Sequence, residues 1–423
     1  MRPCNALYAQ AGGVTAVINA TAAAVIRAWR ARGEAVGALY AARGGMPGVL
    51  REDLIDTTAE SDATLSALRH TPGGIFGSAR FRLGEPEEDR ATWSRIASVL
   101  RAHDIGILFY NGGNGSAVTA LQLAGLEQVC GHRLACVHIP KTIDNDMAGT
   151  DASPGFGSAA KYLAVSLREA AADVASMAGT STRVFILEAM GRNSGWMVAA
   201  MGLAANDRQQ PPHLLLFAER PFDPDDFLAR VSTTVAHHGY CVVGVSEGLR
   251  TADGAFISAL EASGPGGEAQ LGGVAPRLAA LVRDRLGLKC HWATADYLQR
   301  SARHIASAVD LAQAEAVGTA AVDFAIAGRN GVMPGILREC DAPYRWRIEA
   351  VALHEVAGRE KRLPAEFISP DGHHISAAAR DYLLPLIQGE APQRFEDGLP
   401  VHAAPALVPV PCRLPPWQAT GKS

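Results

Sequence analysis

The chain twice runs from a short apolar stretch through a glycine-rich turn into an alanine-rich segment, and this repeated order constrains its fold more than any other feature. The first copy spans residues 5–32 and turns at Gly12 and Gly13, and the second spans residues 105–123 and turns at residues 111–116. A short apolar stretch bounded by turn residues is typical of a buried parallel strand, and strands that alternate with helices form α/β folds. The pattern predicts an α/β protein with two Rossmann-like domains and mainly parallel sheets.

The length and composition agree with a globular protein of two domains. A chain of 423 residues exceeds what one core usually holds, and 48% apolar with 19% charged residues is an ordinary globular composition. The net charge of -4 comes without any basic block, which argues against nucleic acid or an anionic membrane surface as a main partner. Seven dispersed cysteines without a C-x-x-C pair indicate reduced thiols and therefore a cytoplasmic protein.

Both glycine turns have the composition of a phosphate-binding loop. Glycine lets backbone N–H groups approach an anion, and a helix N-terminus adds about half a positive charge. In the second turn Gly113 and Gly115 leave mostly bare backbone, and Ser116 can either cap the helix or donate to a phosphate. The turn matches neither a Walker A loop nor a dinucleotide-binding loop. A plain tight turn is the alternative in each case.

A third polar turn follows the apolar residues 134–139 and contains Lys141, Asp144 and Asp146. Open α/β sheets bind their ligands at the carboxyl ends of their strands. One carboxylate can take a proton from a substrate hydroxyl while the other stays charged or holds a metal, and the lysine can hold a phosphate. A polar loop closed by Asx-turns is the alternative.

Further polar residues follow predicted strand ends and glycine loops. Arg80 ends a glycine-rich loop and is either a phosphate ligand or a surface residue. Arg192 and Glu247 each follow a predicted strand, where they can bind a sugar phosphate and a sugar hydroxyl. Tyr297 and Arg300 are three residues apart, which places them on one face of a helix.

Seven motifs occur in the order in which a known family carries them. They are G-G near the N-terminus, P-G-G-I-F-G-S-A-R, G-G-N-G-S, P-K-T-I-D-N-D, M-G-R, S-E-G and Y-L-Q-R. Over residues 5–347 the chain resembles the phosphofructokinases, and it is most similar to the long bacterial type that uses pyrophosphate as phosphoryl donor. The resemblance implies two Rossmann-like domains with the active site in the cleft between them.

The resemblance also implies a role for each matching residue. Asp144 would take the proton from the 1-hydroxyl of fructose 6-phosphate, and Lys141 and Asp146 would assist. Mg²⁺ would be held by Asp146 and, less well, by Asn114. The donor site would consist of Gly12, Gly13, Arg80, Gly113, Gly115 and Ser116. The sugar phosphate would be held by Thr142, Arg183, Met190, Gly191, Arg192, Glu247, Tyr297 and Arg300.

The same resemblance implies a glycolytic reaction, an oligomer and a domain plan. The product would be fructose 1,6-bisphosphate, and the transfer would be reversible with pyrophosphate. Arg183 matches a residue that reaches a neighbouring subunit's substrate, which implies a homo-oligomer, a dimer or a tetramer. Residues 1–150 would form a donor-binding domain, rejoined by part of residues 210–340; residues 151–340 would form a sugar-phosphate-binding domain, and residues 341–423 a C-terminal extension and tail.

The identity of the phosphoryl donor turns on two positions that disagree. Lys141 is the residue that pyrophosphate users carry, whereas Gly115 stands where they usually have an aspartate that repels the α-phosphate of ATP. We expect pyrophosphate, with an ATP-dependent enzyme as the alternative. A further alternative is a non-catalytic paralogue that binds a sugar phosphate, because neutral Asn114 is a poorer Mg²⁺ ligand than a carboxylate. A lipid or NAD kinase, which shares a similar glycine loop, would lack the P-K-T-I-D-N-D and M-G-R motifs.

Overall fold

Strands and helices alternate along most of the chain in the computed structural model, which describes residues 4–263 and 269–418. The strands are β1 (Asn5–Gln10), β2 (Leu39–Ala42), β3 (Leu54–Asp56), β4 (Ile105–Gly112), β5 (Ala135–Pro140), β6 (Val184–Ala189), β7 (Leu214–Leu216), β8 (Cys241–Ser246), β9 (Ala259–Ser263), β10 (Ala269–Leu271), β11 (Cys290–Thr294), β12 (Val332–Asp341), β13 (Tyr344–Ala352), β14 (Phe395–Glu396) and β15 (Leu399–Pro400). The helices are α1 (Ile18–Arg30), α2 (Met46–Arg51), α3 (Asp62–Leu68), α4 (Arg90–Ala102), α5 (Asn114–Ala124), α6 (Leu126–Cys130), α7 (Phe156–Met177), α8 (Trp196–Met201), α9 (Pro224–His238), α10 (Val274–Leu286), α11 (Leu298–Ser301), α12 (Ala308–Ile326) and α13 (Ala377–Leu383).

The described chain divides into two compact units. Unit 1 comprises residues 4–155, 303–361 and 389–418, and unit 2 comprises the described residues of 156–302 together with residues 362–388. The chain therefore leaves unit 1 near the predicted boundary at residue 150 but returns to it twice. Of the C-terminal extension expected over residues 341–423, residues 341–361 and 389–418 belong to unit 1, and residues 362–388 belong to unit 2.

The sheet of unit 1 has the strand order β13-β12-β5-β4-β1-β2-β3. The neighbours from β12 to β2 run parallel, and β3 and β13 join the two edges in the antiparallel direction. Alternate residues of β1 face opposite layers, so that Leu7 packs with Trp93 of α4 while Tyr8 packs with Val25 of α1. Because both faces are covered by helices, the strands are continuous apolar runs, as in other parallel sheets.

Unit 2 contains a smaller sheet of four parallel strands in the order β11-β6-β8-β7. Its core joins Val184, Ile186 and Val243 of the strands to apolar residues of α9 and α10, including Val231 and Leu278. A separate antiparallel pair is formed by β9 and β10. The two units thus each have a parallel sheet and a hydrophobic core of their own, as two Rossmann-like domains require.

Two buried glutamates bind the proline-rich tail to unit 1 through its backbone. The Glu52 carboxylate accepts hydrogen bonds from the backbone N–H groups of Arg413 at 2.5 Å and Leu414 at 3.1 Å. The Glu60 carboxylate accepts from the N–H groups of Ala406 at 3.0 Å and Leu407 at 2.8 Å. Only 1% of Glu52 and 2% of Glu60 is exposed, so these carboxylates depend on their donors for stabilisation.

Some elements differ from the sequence expectation. The helix of the first strand–glycine–helix copy, expected to start directly after Gly13, begins at Ile18, five residues further along the chain. The hairpin of β12 and β13 was not expected from the sequence, although residues 344–349 of β13 alternate apolar and polar side chains in the way typical of a half-exposed strand. Along the described ranges, none of the helices is both long and apolar enough to cross a bilayer.

Candidate active site

Three polar segments follow the carboxyl ends of β1, β4 and β5, which are neighbours in the sheet of unit 1. We call residues 11–13 the first glycine turn, residues 112–115 the second glycine turn and residues 141–155 the Asp144 loop. Because the three strands run parallel, their following segments lie at one edge of the sheet. The structure therefore brings together the residues that the sequence places at a donor site and at a catalytic loop.

Lys141 links the first glycine turn to the Asp144 loop. Its Nζ donates to the backbone carbonyl of Ala11 at 2.7 Å and to that of Gly13 at 2.5 Å, and only 3% of the residue is exposed. Gly12 has a φ of +74°, and a Cβ there would lie 3.6 Å from the Lys141 Nζ. Lys141 thus brings a positive charge beneath the first glycine turn and also holds the turn in place.

The second glycine turn leads directly into α5. The helix begins at Asn114, its N-cap residue is Gly113, and no side chain of the described residues caps it. Ser116 is therefore inside the first turn of the helix rather than at its cap, which corrects one of the two roles expected for it. Its Oγ donates to the backbone carbonyl of Gly113 at 2.7 Å. An uncapped helix N-terminus next to bare glycine backbone is a suitable site for an anion.

The loop that ends in Arg80 runs beside the first glycine turn. Ala79 forms a parallel bridge with Ala11, and its carbonyl accepts from the Gly12 N–H at 3.1 Å. The Ser78 Oγ donates to the Gly12 carbonyl at 2.7 Å. The Arg80 side chain that follows is exposed. The backbone pairing accounts for its position next to the turn.

The two aspartates of the Asp144 loop have different environments. The backbone N–H of Asp144 donates to the Thr142 Oγ1 at 3.1 Å. The Asp146 Oδ2 accepts from the Asn114 Nδ2 at 2.8 Å. Burial, reinforced by the negative charge of Asp144, raises the pKa of Asp146 to about 7. Two neighbouring carboxylates in different environments can have different roles, one in proton transfer and the other in cation binding.

Asn114 and Asp146 offer oxygens that suit a hard cation. The Asn114 Oδ1 is buried and has no hydrogen-bond partner among the described residues. Mg²⁺ usually takes one or two carboxylates and completes its shell with waters and substrate phosphates. Within residues 4–263 and 269–418, no group of three or more His, Cys, Asp or Glu side chains could hold a metal ion. Asn114 and Asp146 therefore fit a cation that takes most of its ligands from water and from the phosphates of the enzyme's substrate.

Lys361 contacts the Asp144 loop and was not identified from the sequence. Its Nζ donates to the Asn145 Oδ1 at 3.2 Å and to the carbonyls of Thr150 at 3.1 Å and Asp151 at 2.6 Å. Burial lowers the pKa of Lys361 to about 8, against the opposing effects of Asp151 and Asp146. Lys361 lies in the charged run Arg359-Glu360-Lys361-Arg362, which is typical of a solvated surface. The sequence therefore gives no sign that Lys361 is buried against the loop.

In unit 2, two loops pack together at the carboxyl ends of β6 and β8. We call residues 190–195 the Met190 loop. The Glu247 Oε1 accepts from the Gly191 N–H at 3.1 Å, and the Ser246 Oγ donates to the Gly191 carbonyl at 2.8 Å. Gly191 has a φ of +137°, and a Cβ there would lie 2.6 Å from the Ser194 carbonyl oxygen. Glycine is therefore required at the centre of the M-G-R motif.

Charged groups surround Glu247. Burial raises the pKa of Glu247, and the charges of Glu188 and Asp296 raise it further, whereas the Gly191 hydrogen bond and Arg192 lower it. The Arg300 guanidinium stacks on the Tyr297 ring, with its central carbon 3.8 Å from the ring centroid, as their three-residue spacing predicts. The structure thus gathers Arg192 and Glu247 at one end of the sheet of unit 2, where Tyr297 follows β11.

Arg183 lies apart from the other residues expected to bind the sugar phosphate. It is exposed and precedes β6, whereas Met190 and the loop named after it follow β6. The two ends of a strand point to opposite edges of the sheet, so one chain does not bring Arg183 next to Arg192. Its expected role, which requires a second subunit, stays a prediction.

Glu219 supports the Met190 loop from its far end and was also not identified from the sequence. Its Oε1 accepts from the Gly195 N–H at 2.7 Å. Burial raises the pKa of Glu219, against the hydrogen bonds that it accepts. A Cβ on Gly195 would lie 2.4 Å from the Glu219 Oε2, so the carboxylate packs directly on the glycine. Glu219 and Glu247 therefore hold the loop at both of its glycines.

Comparison with known proteins identifies the class to which this fold and these loops belong. The family model described as phosphofructokinase matches residues 5–325. The chain belongs to the phosphofructokinase family, in agreement with the motif order, and the match ends before β12.

Three similar proteins carry more specific names. The pyrophosphate–fructose 6-phosphate 1-phosphotransferase of Methylococcus capsulatus is 54% identical over 97% of this chain and 98% of its own. That of Xanthomonas campestris is 55% identical over 98% of this chain and 99% of its own. The crystal structure of the pyrophosphate-dependent phosphofructokinase of Nitrosospira multiformis is 49% identical, with a TM-score of 0.91 over 98% of this chain and 100% of that one. This similarity extends beyond the family match into β12, β13 and the tail.

Proposed function

We propose that this protein transfers a phosphoryl group from pyrophosphate to the 1-hydroxyl of fructose 6-phosphate. The products are fructose 1,6-bisphosphate and orthophosphate. The observation that carries the proposal is the position of the Asp144 loop beside two glycine turns at one sheet edge. The chain is also 54% identical to a relative named for this reaction.

The chemical step needs a proton acceptor and a suitably placed donor. The 1-hydroxyl oxygen forms a bond to one phosphorus of pyrophosphate, and the bond between that phosphorus and the bridging oxygen breaks. Orthophosphate leaves with the bridging oxygen, and the hydroxyl proton passes to the Asp144 carboxylate. Such transfers depend on placement and on neutralised oxygens rather than on covalent catalysis.

Unit 1 has the groups that a pyrophosphate needs. Lys141 supplies a charge beneath the first glycine turn, and the uncapped N-terminus of α5 supplies backbone N–H groups. Arg80, at the end of the paired loop, adds an exposed guanidinium. These groups are positive or partly positive, which suits a small polyanion.

We further propose that Mg²⁺ takes part, held by Asp146 and the Asn114 Oδ1. When bound, it would neutralise oxygens of the phosphoryl donor. Asp146 has a pKa of about 7 without a cation, so protons and Mg²⁺ compete for it near neutral pH. Asn114 contributes by donating to Asp146, which fixes the direction of that carboxylate.

Unit 2 has the groups that a sugar phosphate needs. Arg192 supplies a cation for the 6-phosphate, and Glu247 supplies an acceptor for a sugar hydroxyl. The family resemblance implies further contacts with the sugar phosphate, from Thr142, Met190, Tyr297 and Arg300. We also propose a cytoplasmic homo-oligomer in which Arg183 serves a neighbouring subunit.

The donor is tested by measuring turnover of the purified protein with fructose 6-phosphate, Mg²⁺ and either pyrophosphate or ATP. We expect turnover with pyrophosphate and, in the reverse direction, from fructose 1,6-bisphosphate and orthophosphate. Turnover with ATP alone would favour the alternative that Gly115 suggests and would overturn the donor assignment. Binding of fructose 6-phosphate without turnover from either donor would indicate a non-catalytic paralogue.

A further inference from the structure

We propose that Lys361, which lies outside the family match, is a positioning residue for phosphoryl transfer. Its side chain holds the Asp144 loop in the conformation that catalysis requires. The inference rests on the proposed function, in which Asp144 of this loop accepts the proton. Lys361 itself contacts the loop rather than any reacting atom, and it lies beyond residue 325, where the family match ends.

The Lys361 ammonium is matched to three oxygens of the loop. It donates to the Asn145 Oδ1 and to the carbonyls of Thr150 and Asp151, at 3.2, 3.1 and 2.6 Å. An ammonium has three protons and no acceptor, so it is suited to bind several oxygens of a loop at once. The two carbonyls lie well after Asp144 in the chain, and Asn145 lies directly next to it. Lys361 therefore joins the beginning and the end of the loop.

The backbone of the same segment adds a second connection. The Lys361 N–H donates to the Asp146 carbonyl at 2.7 Å, and Glu360 forms an antiparallel bridge with Met147. The segment thus pairs with the loop as a short strand would. The side chain and the backbone of Lys361 hold Asn145 and Asp146 together.

The loop needs this support because part of it has an unfavourable backbone conformation. Asn145 is completely buried and has a φ of +53°, in the left-handed region that residues other than glycine seldom adopt, although asparagine adopts it more readily than most. Such a residue persists only where its surroundings determine it. The Asn145 Oδ1 accepts both from Lys361 and from the Ser153 N–H at 3.1 Å. Loss of the ammonium would remove one of the donors that hold the Asn145 side chain, between the two aspartates.

The β12–β13 hairpin holds the other side of Asp151. The Arg338 Nε donates to the Asp151 Oδ2 at 3.0 Å, and the Tyr344 hydroxyl donates to the same oxygen at 3.2 Å. Arg338 and Tyr344 are also beyond the family match. The C-terminal part of unit 1 therefore fixes a loop whose catalytic residues lie in the first part of the chain.

The test is Lys361→Met, which keeps the length of the side chain and removes the donors. We expect kcat to fall tenfold to a hundredfold, with the KM values for fructose 6-phosphate and pyrophosphate within about twofold, because the variant disturbs placement more than binding. The matched control is Arg95→Met. Arg95 is also a buried cation that donates to backbone carbonyls, those of Leu50 at 2.9 Å and Pro415 at 3.1 Å. These carbonyls and its ion-pair partner Glu52 lie outside the Asp144 loop.

A structural role alone would lower the melting temperature of both variants and leave kcat per folded molecule unchanged. Chemical rescue of the side chain further distinguishes a structural role from a positioning role. Lys361→Cys treated with 2-bromoethylamine regains a thialysine of nearly lysine length, and we expect kcat to recover at least fivefold, with identically treated wild-type protein as the reference. This variant takes the place of Lys361→Met if the latter is insoluble.

Equal kcat in Lys361→Met and Arg95→Met, or a raised KM with unchanged kcat, would overturn the proposal, and so would a failure of the alkylated cysteine to recover. These outcomes differ from a failure of the proposed function. That failure would show in the wild-type protein as an absence of turnover with pyrophosphate, and the same variants would then be compared with ATP as donor.

Discussion

The loops that follow the sheets of the two units are held by side chains of opposite charge. In unit 1, Lys141 and Lys361 donate to backbone carbonyls of the first glycine turn and the Asp144 loop. In unit 2, Glu247 and Glu219 accept from the backbone N–H groups at the two ends of the Met190 loop. Polar loops at the ends of parallel strands are thus anchored by lysines in unit 1 and by glutamates in unit 2.

The difference follows from the group that each anchoring side chain brings to its loop. Lys141 adds a positive charge beside the first glycine turn, which suits pyrophosphate. A glutamate that occupies N–H groups leaves carbonyl and carboxylate oxygens available, which suits sugar hydroxyls, and Arg192 then supplies a single cation. The charge of the anchoring residue thus suits the ligand group expected beside it, a lysine for the phosphoryl donor and a glutamate for the sugar hydroxyls.

The largest effect is expected for the proton acceptor of unit 1, because no residue of the Met190 loop has a comparable role. Asp144→Asn keeps the shape of the side chain and removes its basicity, which should lower kcat by about 10²–10⁴-fold. Steady-state kinetics and the melting temperature measure the change and the state of the fold. A near wild-type rate would remove Asp144 from the mechanism.

Gly115→Asp tests whether the positive character of the second glycine turn selects the donor. A Cβ at Gly115 would meet no atom within 4 Å, so the aspartate fits without strain. Two like charges about 4 Å apart repel by about 4 kcal/mol at an effective dielectric constant of about 20, so residual turnover with ATP should fall up to about a thousandfold. Turnover with pyrophosphate should stay within about twofold. The ratio of the two rates is measured in one preparation, and an unchanged ratio would refute the charge argument.

A smaller effect is expected at the glutamate anchor of unit 2. Glu219→Leu removes the acceptor of the Gly195 N–H, and a lost hydrogen bond of about 1.4 kcal/mol raises the KM for fructose 6-phosphate about tenfold. The KM for pyrophosphate should not change. Glu219→Gln retains an acceptor oxygen and serves as the matched control, with a KM near that of the wild type. Equal effects on both substrates would contradict the separation of roles between the two units.

The smallest effect concerns stability. Because the folded-state pKa of Asp146 is raised to about 7, the folded protein holds a proton there that the unfolded chain loses above about pH 4, so the wild type loses stability as the pH rises through this window. Asp146→Asn removes the titration and should melt several degrees higher than the wild type at pH 8 without Mg²⁺. The two proteins should converge as the pH falls toward 4. The exposed Asp173→Asn is the control, and an equal gain there would contradict the cause given for Asp146.

The sequence predicted the parts of the site that depend on short-range patterns. Glycines before a helix, an apolar strand before Lys141 and the spacing of Tyr297 and Arg300 each have a local physical cause, and the structure has β5 and the Tyr297–Arg300 contact where these patterns place them. The family match confirms the phosphofructokinase resemblance that the motifs carried.

The sequence did not predict the residues that act across long separations. Lys361 is more than two hundred positions away from Asn145, and Glu219 meets Gly195 only because β7 is in the same sheet as β6. A single charged residue in a polar segment has the same local appearance whether it is solvated or buried against a distant loop. The helix start at Ile18 was also missed, because residues 14–17 are as apolar as the helix itself.

The attachment of the tail has a consequence for how the molecule can be shortened or extended. Residues 406–414 behave as a tethered ligand of Glu52 and Glu60, present at a high effective concentration because the peptide chain connects them to their binding site. A protein cut before residue 400 would therefore leave Glu52 and Glu60 without these backbone donors, and the missing peptide, added separately, would restore the hydrogen bonds only at far higher concentration.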